Sequence, residues 1–105
     1  MVEHCVLALL RDHESYAFEI VRILEARGLI ASEGTIYPLL ARLRREGLVS
    51  TAWQESNAGP PRRYYRLTAQ GRAGLDAFMA EWTRFRSAVD ATLEPRSTEG
   101  GLDGS

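Results

Sequence analysis

Lysine is missing altogether from the 105 residues, and the chain has one cysteine and two histidines. A lone Cys5 excludes an intrachain disulfide, in keeping with a reducing compartment. His4 and Cys5 are adjacent and so diverge on a helix, and only His13 remains to complete a metal site, so none is expected. No apolar run approaches the roughly 18 residues needed to span a bilayer. The start lacks the basic-then-apolar pattern of a secretory signal. The expectation is a cytoplasmic protein with no membrane partner. Catalysis is equally unprovided for. There is no glycine-rich phosphate loop, no complete Ser/His/Asp or Cys/His set, and the acids are scattered. Neither an enzyme nor a cofactor is predicted.

Without lysine, all thirteen basic residues are arginine. The planar guanidinium suits phosphates and base edges, but a GC-rich genome produces the same bias, so the preference carries little weight. A net charge of −1 excludes a uniformly basic surface. Distribution matters more than the total. Between Ser32 and Leu67 stand Arg42, Arg44, Arg45, Arg62, Arg63 and Arg66 against Glu33, Glu46 and Glu55, a local balance of +3. Apolar residues make up 45% and charged residues 26%, as in an ordinary globular chain. The length fits one small domain. Such a domain buries only ~60–68% of its unfolded surface and gains from a partner subunit.

Helical periodicity organises most of the chain. Val2, Cys5, Val6, Leu9 and Leu10 predict a first helix over Val2–Arg11, and Ser15 is placed to cap a second over Tyr16–Arg27. That helix turns Ala17, Ile20, Val21 and Leu24 inward and ends at Gly28, a natural left-handed residue. Ser32 is the best cap for a third helix, whose buried face is Ile36, Leu39, Leu40 and Leu43. Its opposite face carries Gly34, Pro38, Ala41 and Arg45, flanked by Thr35, Tyr37, Arg42 and Arg44. Capping at Ser32 would put Pro38 in the second turn and remove a hydrogen bond. Either the helix begins later, near Gly34 or Thr35, or its first turn is distorted. Gly47 closes it. Leu48–Gln54 and Arg62–Leu67 read as strands around a Glu55–Pro61 turn, with Tyr64 and Tyr65 on opposite faces, one in the core and one exposed. Thr68 then caps a long helix with Leu75, Phe78, Met79, Trp82, Phe85, Val89 and Leu93 at threes and fours.

The predicted fold is mainly α with a small β-hairpin: a winged helix-turn-helix over residues 1–67, a long C-terminal dimerisation helix over 68–93, and a disordered tail over 94–105. An arginine-bearing helix that stops at a glycine and feeds a hairpin sets a helix into a DNA groove with the hairpin beside it. The residues expected to touch DNA are Ser32, Thr35, Tyr37, Pro38, Arg42, Arg45, Arg62 and Arg63. Phe78, Met79, Trp82, Phe85 and Val89 form too large an apolar stripe for a small headpiece to hide, and are expected to join two copies. Twofold symmetry would set two recognition helices about one DNA turn apart, ~34 Å. Trp82 either fills that seam or lines a pocket for a flat aromatic effector. The competing reading is a protein–protein adaptor that keeps the winged helix and no longer reads DNA.

Three stretches carry a family resemblance. They are Ser32-Glu33-Gly34-Thr35-Ile36-Tyr37-Pro38-Leu39-Leu40, Arg42-Leu43 with Glu46-Gly47-Leu48, and Gly59-Pro60-Pro61-Arg62-Arg63-Tyr64-Tyr65-Arg66-Leu67-Thr68 with Gly71. Over about residues 3–93 the chain resembles the PadR family of bacterial transcriptional regulators, in its short form with one C-terminal helix. The resemblance implies a homodimeric repressor whose third helix and wing contact double-stranded DNA at a palindromic operator. It implies that Tyr37 and the hydroxyls near Ser32 and Thr35 meet phosphate or groove edges, and that the arginines after the double proline serve the wing. Trp82 matches a tryptophan that, in some members, stacks on drugs or phenolic compounds between the dimer helices. The chain departs from the family where Ala17-Phe18 replaces a glycine-tyrosine before Glu19-Ile20.

Overall fold

A computed structural model describes residues 1–30, 33–56 and 59–95. Helix α1 (Val2–Asp12) is followed by a short strand β1 (Ser15–Tyr16) and helix α2 (Ala17–Ala26). A 3₁₀ turn (Glu33–Thr35) leads into α3 (Ile36–Arg45), then strands β2 (Val49–Ser56) and β3 (Gly59–Leu67), and finally α4 (Ala69–Leu93). One core holds Val6, Leu7 and Leu10 of α1, Ile20, Val21 and Leu24 of α2, and Ile36, Leu40 and Leu43 of α3, closed by Val49 and Leu75. The stripes of α2 and α3 are the ones their periodicity requires. In α1 the stripe is rotated: Leu7 is buried, while Val2, Cys5 and Leu9 pack at the margin.

Helices α2 and α3 end in the same way. The N–H of Gly28 donates to the Glu25 carbonyl at 3.0 Å and that of Leu29 to Leu24 at 2.9 Å. The N–H of Gly47 donates to Arg44 at 3.1 Å and that of Leu48 to Leu43 at 3.0 Å. This double closure needs one left-handed residue, and Gly28 and Gly47 have φ of 72° and 79°. A side chain there would cost conformational energy that glycine avoids.

Two expectations are corrected, and the start left open for α3 is found. Ser15 does not cap α2; it begins a two-residue strand that pairs antiparallel with β3, Ser15 opposite Tyr65 and Tyr16 opposite Tyr64. Tyr16 stands at the head of α2 instead, and its N–H donates to the Glu19 carboxylate at 2.8 Å. The hairpin is therefore part of a three-stranded sheet in the order β1-β3-β2. The strands are also longer than expected, since β2 runs to Ser56 and β3 starts at Gly59. Pro60 and Pro61 thus lie in a strand, next to a register shift between Gln54 and Ser56. There the ladder is already interrupted, and a missing N–H costs least. The start left open for α3 is the later one: the helix begins at Ile36 after Thr35, so Pro38 is its third residue, where no N–H has an intrahelical partner. Ser32, the expected cap, lies outside the described residues, as does the expected tail from residue 96 onward.

Thr68 caps α4 as its position required. Its hydroxyl oxygen accepts from the Gly71 N–H at 2.9 Å while its O–H donates to the Gly47 carbonyl at 2.7 Å. Leu75 anchors the first half of α4 in the core, whereas Met79, Phe85 and Leu93 are exposed. Between them Phe78 is covered by His4 of α1, the two rings stacked at 3.8 Å and 4°.

That stack makes His4 pH-sensitive. Its Nδ1 is buried without a hydrogen-bond partner among the described residues. Burial, helped by the N-terminal amine and opposed by the Glu3 carboxylate, holds the imidazole below its ordinary pKa. A group depressed in the folded state contributes stability above its unfolded value, about 6.5, and loses it as pH falls through the folded value. Thermal melts at pH 7 and pH 5 should show a larger drop for the wild type than for His4→Phe, which keeps the stack and cannot charge. Equal drops would remove this role for His4.

Candidate nucleic-acid interface

With Ile36, Leu40 and Leu43 turned inward, helical geometry sends the intervening positions of α3 outward. Thr35, Pro38, Ala41, Arg44 and Arg45 are exposed, and Tyr37 is 45% exposed. Small residues at Gly34, Pro38 and Ala41 let another surface approach the backbone closely. Arg42 is placed differently from the rest of the predicted set. It is half-buried, and its guanidinium lies 3.5 Å from the carboxylates of both Glu3 and Glu46. Ion pairs at this exposure are weak, so Arg42 is engaged without being locked.

In the wing, alternation along β3 puts Arg62, Tyr64 and Arg66 on one face and Arg63, Tyr65 and Leu67 on the other. The two arginines expected to act together therefore leave the strand on opposite sides, although both reach the hollow beside Tyr16 and Tyr37. Arg63 lies opposite Trp53 in the ladder, its guanidinium carbon 4.9 Å from the indole centroid. Arg62 lies over Tyr16 at 5.2 Å and Phe18 at 5.6 Å. A guanidinium held over a ring gives none of its N–H donors to a carboxylate, so they stay available to an incoming acceptor. Arg66 is paired with Glu14 at 3.2 Å.

Tyr16 and Phe18 lie at this candidate interface, beside the residues the sequence pointed to. Their rings stack at 5.7 Å, and Tyr16 also stacks on Tyr64 at 4.0 Å, so the three form a column beneath Arg62. This also corrects the expectation for the tyrosine pair: Tyr64 is not left exposed, because Tyr16 covers it, and both Tyr64 and Tyr65 are half-buried. The available signal was Phe18 itself, which keeps an aromatic ring, without the hydroxyl, where the resembled family has the tyrosine of its glycine-tyrosine pair.

Two hollows of about 330 Å³ each lie between α3 and the wing. One is lined by Ala41, Arg44, Arg45, Arg63 and Tyr65. The other is lined by Tyr16, Ala17, Phe18 and Tyr37 together with Arg62, Arg63 and Tyr65. Away from this face, α4 carries an aromatic run, with Phe78 and Trp82 centroids 6.2 Å apart and Trp82 and Phe85 5.9 Å apart. Trp82 and Val89 are half-buried, Met79 and Phe85 exposed, and a shallow hollow of about 220 Å³ runs along Phe85, Val89 and Leu93. No group of three or more histidines, cysteines or acids gathers as a metal site among the described residues. Among the same residues, no helix is long and apolar enough to cross a membrane.

The profile of the transcriptional regulator PadR-like family matches residues 6–77. The chain belongs to this family. A PadR-like transcription factor from Bacteroides fragilis is 41% identical, with a TM-score of 0.76 over 88% of this chain and 89% of its own. A PadR-like transcriptional regulator from Bacillus cereus is 32% identical, with a TM-score of 0.80 over 90% and 92%. PadR of Bacillus subtilis, crystallised in complex with operator DNA, is 23% identical, with a TM-score of 0.68 over 75% of this chain and 46% of its own, a likeness of fold. The PadR-like architecture, a winged helix-turn-helix with a long C-terminal helix, is the one expected from the sequence. The family match takes in the first part of α4, which packs on the headpiece, and stops before Trp82.

Proposed function

We propose that this PadR-like chain is a DNA-binding transcriptional regulator, acting as a homodimeric repressor that a planar aromatic molecule releases from a palindromic operator. One observation carries the DNA reading. The exposed face of α3 and the wing form a single surface whose Arg44, Arg45, Arg62 and Arg63 have no carboxylate partner among the described residues. The operator complex of Bacillus subtilis PadR supports the same partner. Residues 1–67 meet the duplex, and the helix over 68–93 pairs two copies. Thr35 and Tyr37, with Ser32, offer hydroxyls to phosphates and groove edges; Pro38 keeps the helix surface low; Arg45, Arg62 and Arg63 supply charge. Arg42 joins them only by leaving Glu3 and Glu46. Phe78, Met79, Trp82, Phe85 and Val89 form the seam, and the half-buried Trp82 between two phenylalanines is the surface offered to an aromatic effector. The family is one of regulators, and no reaction is assigned to the chain.

Fluorescence anisotropy on duplexes from the chain's own promoter region tests this. Affinity should fall by about 10³ or more between 50 and 200 mM salt, as counterions released from phosphates return. Replacing Arg62 and Arg63 together by alanine should weaken every duplex by at least roughly tenfold, about 1.4 kcal/mol. Unchanged binding would remove the wing from the interface. Failure of the wild type to bind any duplex, together with salt-insensitive capture of a protein, favours the adaptor. In the same titrations, quenching of tryptophan emission by planar aromatic compounds should vanish in Trp82→Ala and persist in Trp53→Ala. The reverse pattern counts against the effector.

A further inference from the structure

Glu3 and His4 are neighbours in the first turn of α1, so they leave the helix about 100° apart and meet different elements. His4 lies flat on Phe78 of α4, ring on ring at 3.8 Å. The stack runs on along α4, with Trp82 6.2 Å from Phe78 and inclined to it by only 12°. Glu3 turns to α3 instead, its carboxylate 3.5 Å from the Arg42 guanidinium. It also pairs with the amino terminus at 3.4 Å. Arg42 is held a second time by Glu46 on its own helix, again at 3.5 Å. Two adjacent residues thus join the helix offered to a second copy with the helix offered to DNA. The row runs Trp82, Phe78, His4, Glu3, Arg42, and it crosses three helices without a gap.

We propose that Glu3 is a positioning residue for Arg42, held in place from α4 by His4, and that this arm of α1 restrains DNA binding. While the arm is seated, Arg42 is occupied twice over and its charge is withheld from the duplex. When the arm lifts, one of the two carboxylates leaves and Arg42 is freed. The proposal rests on the DNA-binding reading and adds a control to it. Both arrangements of Arg42 lie close in free energy, because an ion pair between side chains 41% and 34% exposed is weak. A small bias at the far end of the arm therefore changes how often Arg42 is free. Whatever packs on the Trp82 side of Phe78 and stiffens the stack keeps Glu3 seated and lowers affinity for DNA. An aromatic molecule there acts in the direction of release. The message travels through side chains, so no helix has to turn against another.

Operator affinities of single and double variants test each link. Glu3→Gln keeps the shape of the side chain and removes its charge. It should tighten binding by about three- to fivefold per subunit, the scale of one exposed ion pair. His4→Ala should tighten binding by a smaller factor, whereas His4→Phe, which keeps a ring on Phe78, should match the wild type. A merely structural role for His4 would weaken binding or leave it alone. His4→Ala should add nothing to Glu3→Gln, and neither change should help in an Arg42→Ala background. Loss of any carboxylate near DNA favours binding in general, so that background is the control. A gain from Glu3→Gln that keeps its full size without Arg42 is plain charge removal and overturns the proposal. So does a folded His4→Ala protein that binds no tighter than the wild type. The Glu3 and Arg42 variants change half-exposed side chains only, so their cycle is decisive even where His4→Ala does not fold. Absence of any wild-type complex instead defeats the DNA-binding reading, and this control with it.

Discussion

Alanine in place of Gly71 is expected to remove much of the stability of the fold. A Cβ at this position would run into the Leu48 carbonyl oxygen and would stand 2.7 Å from Leu67 Cδ1. Neither neighbour can give way easily. The Leu48 carbonyl already accepts the Thr68 N–H at 3.2 Å, and the Gly71 N–H is tied to the Thr68 hydroxyl at 2.9 Å. The start of α4 is therefore pressed backbone to backbone against the junction of α3 and β2. Overpacking of this kind costs about 3 kcal/mol or more, a large part of the ~5–15 kcal/mol that holds a domain together. The melting point should drop by roughly 12–20 °C. At Gly74, one turn later, nothing among the described residues lies within 4 Å of where a Cβ would stand. Gly74→Ala should raise stability by about 0.5–1 kcal/mol, since alanine restrains the unfolded chain. Melts of the two variants should thus move in opposite directions, and a Gly71→Ala protein melting within a few degrees of the wild type would refute the contact.

Aspartate at Phe85 should have little effect on the headpiece and a large one on assembly. Phe85 is 60% exposed in the single chain, and surface changes normally stay within about 0.5 kcal/mol. In the proposed seam the same position faces apolar side chains of a second copy, where an unpaired carboxylate is costly. Sedimentation should show the mass of Phe85→Asp halved, with its helical content kept. Operator affinity should fall by at least about a hundredfold, because the second half-site no longer binds as an intramolecular event. A variant that keeps wild-type mass and affinity would show that two copies do not meet through α4.

The parts of this molecule that repeat within a few residues were legible in its sequence. Ile20, Val21 and Leu24, and Ile36, Leu40 and Leu43, announce their helices because 3.6-residue periodicity is local. Gly28, Gly47 and Thr68 announce the ends because each meets a backbone requirement few residues meet. Given α3, the outward positions of Thr35, Tyr37, Pro38 and Arg45 follow. What stayed hidden depends on distant partners. Two residues cannot show an alternating pattern, so β1 emerges only from its pairing with Tyr64 and Tyr65. The attachment of Arg42 to Glu3 and the column of Phe18, Tyr16 and Tyr64 beneath Arg62 likewise join segments far apart in the chain. The divergence of Arg62 from Arg63 is another matter. The alternation that separates Tyr64 from Tyr65 separates the arginines as well, and applying it one pair earlier would have found it.

Thr68 bridges Gly47, just past the end of α3, and Gly71, in the first turn of α4, so the two helices are tied together at their junction. The two behave as an oar and its shaft. If two copies pair through α4 as proposed, anything wedged between the shafts would swing each head as a whole, changing the distance between blades while leaving the angle of each blade on its own shaft untouched.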